Sequence, residues 1–170
     1  MAEVYLALGS NQGDRAANLR VALSRLRGLG NVVAVSSLYE TEPVGGPPGQ
    51  PYYYNACCLL QTDLAPVELL RSLKGLEREL GRQEGPRWGP RVIDLDVLFY
   101  DDLALETPEL ELPHPRLHQR PFVLVPLSEI APGLRHPLLG LTVAELMRRA
   151  GKAGVRRVAG PGWEVAGGGG

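Results

Sequence analysis

Val92-Ile93-Asp94-Leu95-Asp96-Val97-Leu98-Phe99-Tyr100 is a strand-like run interrupted by two carboxylates. Side chains of an extended chain alternate between faces, so Asp94 and Asp96 share one face, about 6.5 Å apart along the strand. Ile93, Leu95, Val97 and Phe99 are expected to fill the other face. Two like charges aimed at one spot repel unless a cation sits with them. The run also closes a pattern, because the segments before it read as strand, helix, strand, strand and helix.

Working back from Val92, the apolar positions Leu69, Leu70, Leu73, Leu76 and Leu80 recur at helical spacing, with Pro66 suited to the first turn and Gly81 to the stop. Tyr53 to Thr62 and Val32 to Thr41 are strand-like and expected to pair as a hairpin. Leu19, Ala22, Leu23, Leu26 and Leu29 mark an earlier amphipathic helix ended by Gly28 and Gly30, and Val4 to Leu8 a first strand. The order β-α-β-β-α-β predicts a ferredoxin-like α+β fold with an antiparallel sheet. Beyond Tyr100 the chain is expected to add helices around Phe122 to Ile130 and from Thr142, where Glu145 completes a capping box. Val155 to Val165 reads as a last edge strand. One domain over residues 1–166 and a disordered glycine tail at 167–170 complete the expectation.

Composition narrows the class. At 170 residues with 44% apolar content the chain suits one domain with a real core. A net charge of −1 gives no general pull toward nucleic acid or an anionic membrane. No basic-plus-apolar leader is visible and no apolar run approaches the roughly 18 residues needed to span a bilayer. Cys57 and Cys58 are adjacent, so in a strand they face opposite ways. Two inert thiols in a reducing cytoplasm are expected.

Between Arg82 and Arg91 lie three arginines (Arg82, Arg87, Arg91), an indole (Trp88) and two Gly-Pro pairs. Guanidinium groups beside paired carboxylates suit phosphate together with Mg²⁺, which takes one or two carboxylates and leaves its other positions to substrate oxygens. The bland alternative is a solvated sheet face. His114 stands between two prolines, with Arg116 and Arg120 nearby in sequence. No second His or Cys stands at zinc-ligand spacing, and His118 and His136 are expected at the surface. Glu42–Pro51 holds four prolines and three glycines, either a slack connection or a cover over a site. Gly9-Ser10-Asn11-Gln12-Gly13-Asp14 lacks the Gly-Lys-Ser/Thr ending of a phosphate loop and reads as a turn capping the first helix.

Together these residues resemble the 6-hydroxymethyl-7,8-dihydropterin pyrophosphokinase family of folate biosynthesis. The resemblance runs from Val4 to about Leu146. It rests on Leu8-Gly9-Ser10-Asn11, Tyr53-Tyr54-Asn55-Ala56, Glu77, Gly81-Arg82, Pro113-His114 and Arg120-Pro121-Phe122. It is most specific in Arg87-Trp88-Gly89-Pro90-Arg91-Val92-Ile93-Asp94-Leu95-Asp96. It implies transfer of diphosphate from ATP to the pterin hydroxymethyl group, with release of AMP. Two Mg²⁺ ions would be held by Asp94 and Asp96, and Arg82 and Arg91 would act with them in catalysis. Glu77, Arg87, His114 and Arg120 would lie on the ATP side. Thr41, Val44, Tyr53, Asn55, Trp88 and Phe122 would form the pterin side. Glu109, Glu111 and Pro115 depart from the family's pattern. The chain is expected to act as a monomer without nucleic acid or membrane.

Two other classes compete. Ferredoxin-like sheets can bind RNA through exposed aromatics, but here that face would carry two aspartates and no basic stripe. A non-catalytic ligand-binding domain needs neither paired aspartates nor clustered arginines.

Overall fold

A computed structural model describes residues 1–43, 48–81 and 92–166. Its elements are β1 (Ala2–Ser10), α1 (Arg15–Leu26), β2 (Asn31–Val35), β3 (Leu38–Thr41), β4 (Tyr53–Thr62), α2 (Pro66–Glu79) and β5 (Asp94–Tyr100). There follow β6 (Leu105–Glu106), β7 (Glu111–Leu112), α3 (Pro121–Ile130), α4 (Val143–Ala150), β8 (Val155–Ala159) and α5 (Trp163–Ala166). The strand order is β5-β1-β4-β3-β8, with β2 beside β4 on the β3 edge, and the pairings are antiparallel. Taking β2 and β3 as one broken strand, this is the ferredoxin-like order expected from the sequence, extended by β8.

Alternation along the strands builds two cores on one sheet. Val4, Leu6, Leu8, Ala56, Cys58, Leu60, Leu95 and Val97 pack beneath α1 and α2 with Leu19, Leu23, Leu69 and Leu73. Cys57, Leu98 and Phe99 pack on the reverse face with Val123, Leu124, Leu127 and Leu146 of α3 and α4. The adjacent cysteines thus enter different cores, both fully buried. Burial pushes the Cys58 thiol up to about 12 and Cys57 upward as well, so both stay protonated and inert.

Several local expectations change. The strand predicted for Val32 to Thr41 breaks at Ser36-Ser37. The buried Ser36 hydroxyl accepts the Cys57 N–H at 2.9 Å, and the Ser36 N–H donates to the Cys57 carbonyl at 2.9 Å, so a side chain replaces one rung. Phe99 lies on the α3 side, not with Leu95 and Val97. Tyr5 pairs Phe99 whereas Leu6 pairs Val97, a bulge that leaves Leu98 without a rung partner and reverses the alternation. The last strand ends at Ala159, where Gly160-Pro161-Gly162 turns the chain into α5. Leu29 falls beyond α1, which stops at Leu26. His136 is buried: its Nδ1 accepts the N–H groups of Leu138 (3.2 Å) and Leu139 (3.1 Å), and its ring meets Phe99 edge-on. Among the described residues no helix is long and apolar enough to cross a membrane. The glycine tail lies outside the described residues.

Candidate active site

The start of β5 and the end of β1 define an open corner of the sheet. Asp94 is the rung partner of Gly9, and Gly9 is in turn the partner of Asn55. Directly opposed residues share a face, so Asp94, Gly9 and Asn55 form a row across three strands. Asp96 stands in the next row, opposite Ala7 and Cys57. Both aspartates therefore project to the α3 side, as the period-two reading expects. Asp94 is half-buried and Asp96 exposed.

Gly9 keeps this row close. A Cβ built on it would meet Asn55 Oδ1 at 2.9 Å and Tyr53 Cδ1 at 3.3 Å. Tyr53 donates its hydroxyl to Asp94 Oδ2 at 3.4 Å, and Asn55 Nδ2 donates to Thr41 Oγ1. The structure thus brings Thr41, Tyr53, Asn55 and Asp94 into one connected patch.

Behind Asp94, Glu77 of α2 is buried and accepts the Leu95 N–H at 2.9 Å. β5 is the sheet edge, so this carboxylate satisfies a ladder donor that no strand reaches. Glu77 sits on the helix-covered side and braces the segment between the aspartates.

His114 approaches from the other direction. Its N–H donates to the Leu98 carbonyl at 3.0 Å, which fixes it beside β5. Its Nδ1 accepts the Arg116 N–H at 3.3 Å, leaving Nε2 to carry the ring proton. Burial pushes the ring below its usual range, Asp96 pulls it upward, and Arg120 and Arg116 add to the drop. Asp96 also opposes the lowering of Arg120 by burial, so Asp96, His114 and Arg120 share one electrostatic neighbourhood. The Arg120 guanidinium lies 5.6 Å from the centroid of the Phe122 ring, which opens α3 beside Pro121.

Arg82, Arg87, Trp88 and Arg91 lie outside the described residues, as does Val44. So does the rest of the stretch at 82–91, while the other Gly/Pro-rich loop is described at Glu42, Pro43 and Pro48–Pro51.

A metal can be tested against the donor set. Among the described residues no three His, Cys, Asp or Glu side chains cluster as a metal cage. Two carboxylates with neutral oxygen and amide neighbours suit Mg²⁺, which is usually completed by water and substrate oxygens.

Sequence reasoning read Gly9 only as part of a turn and of the family motif, and missed its place in this row and the Arg15 contacts described below. The register of β1 against β4 and β5 is what reveals them. A cavity of about 320 Å³ lies along α2 between Leu70, Arg71, Lys74, Arg78 and Glu109, with Arg71 paired to Glu109 at 3.1 Å.

A family model described as 7,8-dihydro-6-hydroxymethylpterin-pyrophosphokinase matches residues 5–132. The 2-amino-4-hydroxy-6-hydroxymethyldihydropteridine pyrophosphokinase of Pseudomonas aeruginosa is 41% identical over 159 residues, covering 92% of this chain and 97% of that protein. The enzyme of the same name from Bacillus subtilis is 48% identical over 128 residues, covering 74% of this chain and 76% of that protein. The folic acid synthesis protein FOL1 of Dictyostelium discoideum is 44% identical over 139 residues; that is 82% of this chain but 21% of that longer protein. Among solved structures, Plasmodium falciparum HPPK-DHPS matches with a TM-score of 0.70 at 18% identity. The match covers 87% of this chain and 45% of that one, a likeness of fold. On these matches the chain belongs to the 7,8-dihydro-6-hydroxymethylpterin-pyrophosphokinase family.

Proposed function

We propose that the open corner of the sheet is where this pyrophosphokinase moves the β,γ-diphosphoryl group of ATP to the hydroxymethyl oxygen of 6-hydroxymethyl-7,8-dihydropterin, releasing AMP. The observation that carries the reading is the row Asp94, Gly9 and Asn55, with Asp96 one row away on the same face. It sets a polar, hydrogen-bonding floor directly beside two carboxylates.

The pterin side is Thr41, Tyr53, Asn55 and Phe122, with Val44 and Trp88 from the loops. Asn55 offers an amide to the polar edge of the ring, and Thr41 fixes that amide by accepting its N–H. Aromatic rings at Tyr53 and Phe122 give a flat heterocycle surfaces to stack against. The absence of a side chain at Gly9 leaves the floor low enough for a planar ligand to lie across it.

The phosphate side begins at Asp94 and Asp96, which would hold the two Mg²⁺ ions. Held there with ATP, Mg²⁺ would supply charge neutralisation on the phosphates and help to align the attacking and leaving oxygens. Tyr53 orients Asp94 through its hydroxyl, and Glu77 holds the strand between the carboxylates. His114, whose Nδ1 accepts the Arg116 N–H, would offer its Nε2 proton as a hydrogen-bond donor, and Arg120 supplies positive charge near Asp96. Arg82, Arg87 and Arg91 would add cations where charge develops on the transferring group. Such preorganised donors, more than any covalent nucleophile, drive phosphoryl transfer.

Product identity tests the reading. The chain, ATP, Mg²⁺ and the hydroxymethylpterin are incubated together, and AMP and pterin diphosphate are quantified. Equal yields of the two products are expected, with none when Mg²⁺ is chelated. ADP in place of AMP would refute diphosphoryl transfer.

A further inference from the structure

The hairpin ends that carry Thr41 and Tyr53 are bridged from behind by the Arg15 side chain. Arg15, the first residue of α1, donates from Nη1 to Glu40 Oε2 at 3.2 Å and to the Tyr52 carbonyl at 2.7 Å. Its guanidinium carbon sits 3.8 Å from the centroid of the Tyr54 ring. Glu40 immediately precedes Thr41 and Tyr52 immediately precedes Tyr53. Because faces alternate, contacts on the helix-covered side fix where Thr41 and Tyr53 point on the other.

We propose that Arg15 is a positioning residue for pterin recognition, a tie across β3 and β4 that holds Thr41 and Tyr53 at the spacing the substrate needs. The inference rests on the reading that these residues face the pterin.

Geometry separates Arg15 from its neighbour. Arg156 of β8 also reaches Glu40, at 2.8 Å, but among the described residues its hydrogen bonds end there. Arg15, by contrast, bonds both strand ends, at Glu40 and at Tyr52. Hydrogen bonds from Arg156 and then Arg15 hold the Glu40 carboxyl below its usual range against the opposing effect of burial, so the acceptor is a carboxylate. Eleven residues of Gly/Pro-rich sequence separate the end of β3 at Thr41 from the start of β4 at Tyr53. The β3–β4 ladder has three rungs and stops at Thr41 and Tyr53. A planar guanidinium suits such a bridge, since Nη1 bonds both oxygens while the face of the group lies over an aromatic ring. Lysine offers charge and donors but no such plane.

The test measures pterin affinity and steady-state kinetics in the full chain, with a non-hydrolysable ATP analogue present for binding. Arg15→Met is expected to raise the pterin Kd and KM about tenfold, equivalent to about 1.4 kcal/mol, with kcat at saturation within about twofold. Arg15→Lys should recover part of the loss, and Arg156→Met should leave pterin affinity within about twofold of wild type. Asn55→Ala serves as the reporter for the pterin side. If it weakens pterin binding while Arg15→Met does not, the tie is refuted and the site assignment stands. If neither weakens binding, the site assignment falls and the tie with it. An equal loss in Arg156→Met would also overturn the proposal, because the charge on Glu40 rather than the bridge would then be responsible. Thermal melting checks each fold; should Arg15→Met fail to fold, Arg15→Lys decides, and unchanged pterin affinity in that variant refutes the need for a planar bridge.

Discussion

Replacing Gly9 by alanine adds one methyl group to the floor between Asp94 and Asn55. That carbon would stand 2.9 Å from Asn55 Oδ1 and 3.3 Å from Tyr53 Cδ1, whereas ordinary contact begins at 3.4 Å. The amide must retreat by about half an ångström, and the tyrosine ring by less. Both are side-chain atoms, so the fold can yield. Overpacking of this kind costs about 1–3 kcal/mol, and exchange of glycine for alanine in the unfolded chain returns about 0.4–1 kcal/mol. A net loss near 1 kcal/mol lowers Tm by about 2–4 °C in a chain of this length. The functional cost is larger in proportion. Asn55 is held by Thr41, so moving it disturbs two polar groups of the proposed pterin side together, and misplacement by an ångström typically costs about a hundredfold. Half that displacement should weaken pterin binding about tenfold while ATP binding stays near wild type. Thermal melting and a pterin titration with the ATP analogue measure both. Wild-type pterin affinity in a folded Gly9→Ala protein would refute the claim that this row is the substrate floor.

Asp94→Asn or Asp96→Asn should abolish most turnover while leaving far-UV circular dichroism and Tm intact, since removing like charges does not unfold a strand; wild-type AMP release in either variant would exclude the metal role. Glu77→Ala leaves the Leu95 N–H without its acceptor and should cost about 1–3 kcal/mol, seen as a lower urea midpoint, whereas Glu77→Gln should retain most of the stability; equal losses would show that the hydrogen bond is not what Glu77 contributes. His136 has its folded pKa lowered, first by burial and then by His118, so the unfolded chain binds its proton more readily. Its contribution is full above the unfolded value near 6.5 and is lost as pH falls through the lower folded value. Urea unfolding between pH 7.5 and 5 should show this decline, and His136→Asn, which can still accept the two amides, should flatten it; an unchanged slope would rule out His136 as the source.

Much of this architecture is written in local periodicity. Tyr53–Thr62, Pro66–Glu79 and the Thr142 cap carry patterns that tertiary structure has no reason to override, and they occur as read. Asp94 and Asp96 share a face because the bulge of β5 falls after them; Phe99 lies beyond it, so simple alternation fails there. Ser36-Ser37 is strand-like in composition, yet its hydroxyls outcompete a regular ladder, a choice made by contacts from β4 and α3. Ser37 donates to Glu129 through both its N–H (2.9 Å) and its hydroxyl (2.7 Å). The Tyr39 hydroxyl adds a third bond to Glu129 at 2.7 Å; burial and that bond push the phenol well above its usual range. His136 reads as a surface residue because burial of a lone histidine depends on backbone amides two and three residues on, which no sequence period encodes. Gly9 and Arg15 are silent in the sequence for the same reason: their roles arise from register between strands distant along the chain.

The division of the sheet into two unlike faces has an evolutionary consequence. Along β1, β3 and β4, even-numbered positions such as Leu6, Leu38 and Ala56 belong to the core beneath α1 and α2, while odd-numbered positions such as Gly9, Thr41 and Asn55 belong to the opposite face, which we propose takes the substrate. Neighbouring codons therefore answer to different selective pressures. Drift at even positions is filtered by persistence of the folded chain, and drift at odd positions near the corner by flux through the reaction. On the proposed site, a lineage could thus retune its substrate surface without renegotiating its core, except at Arg15, where the proposed tie would bring both pressures onto one side chain.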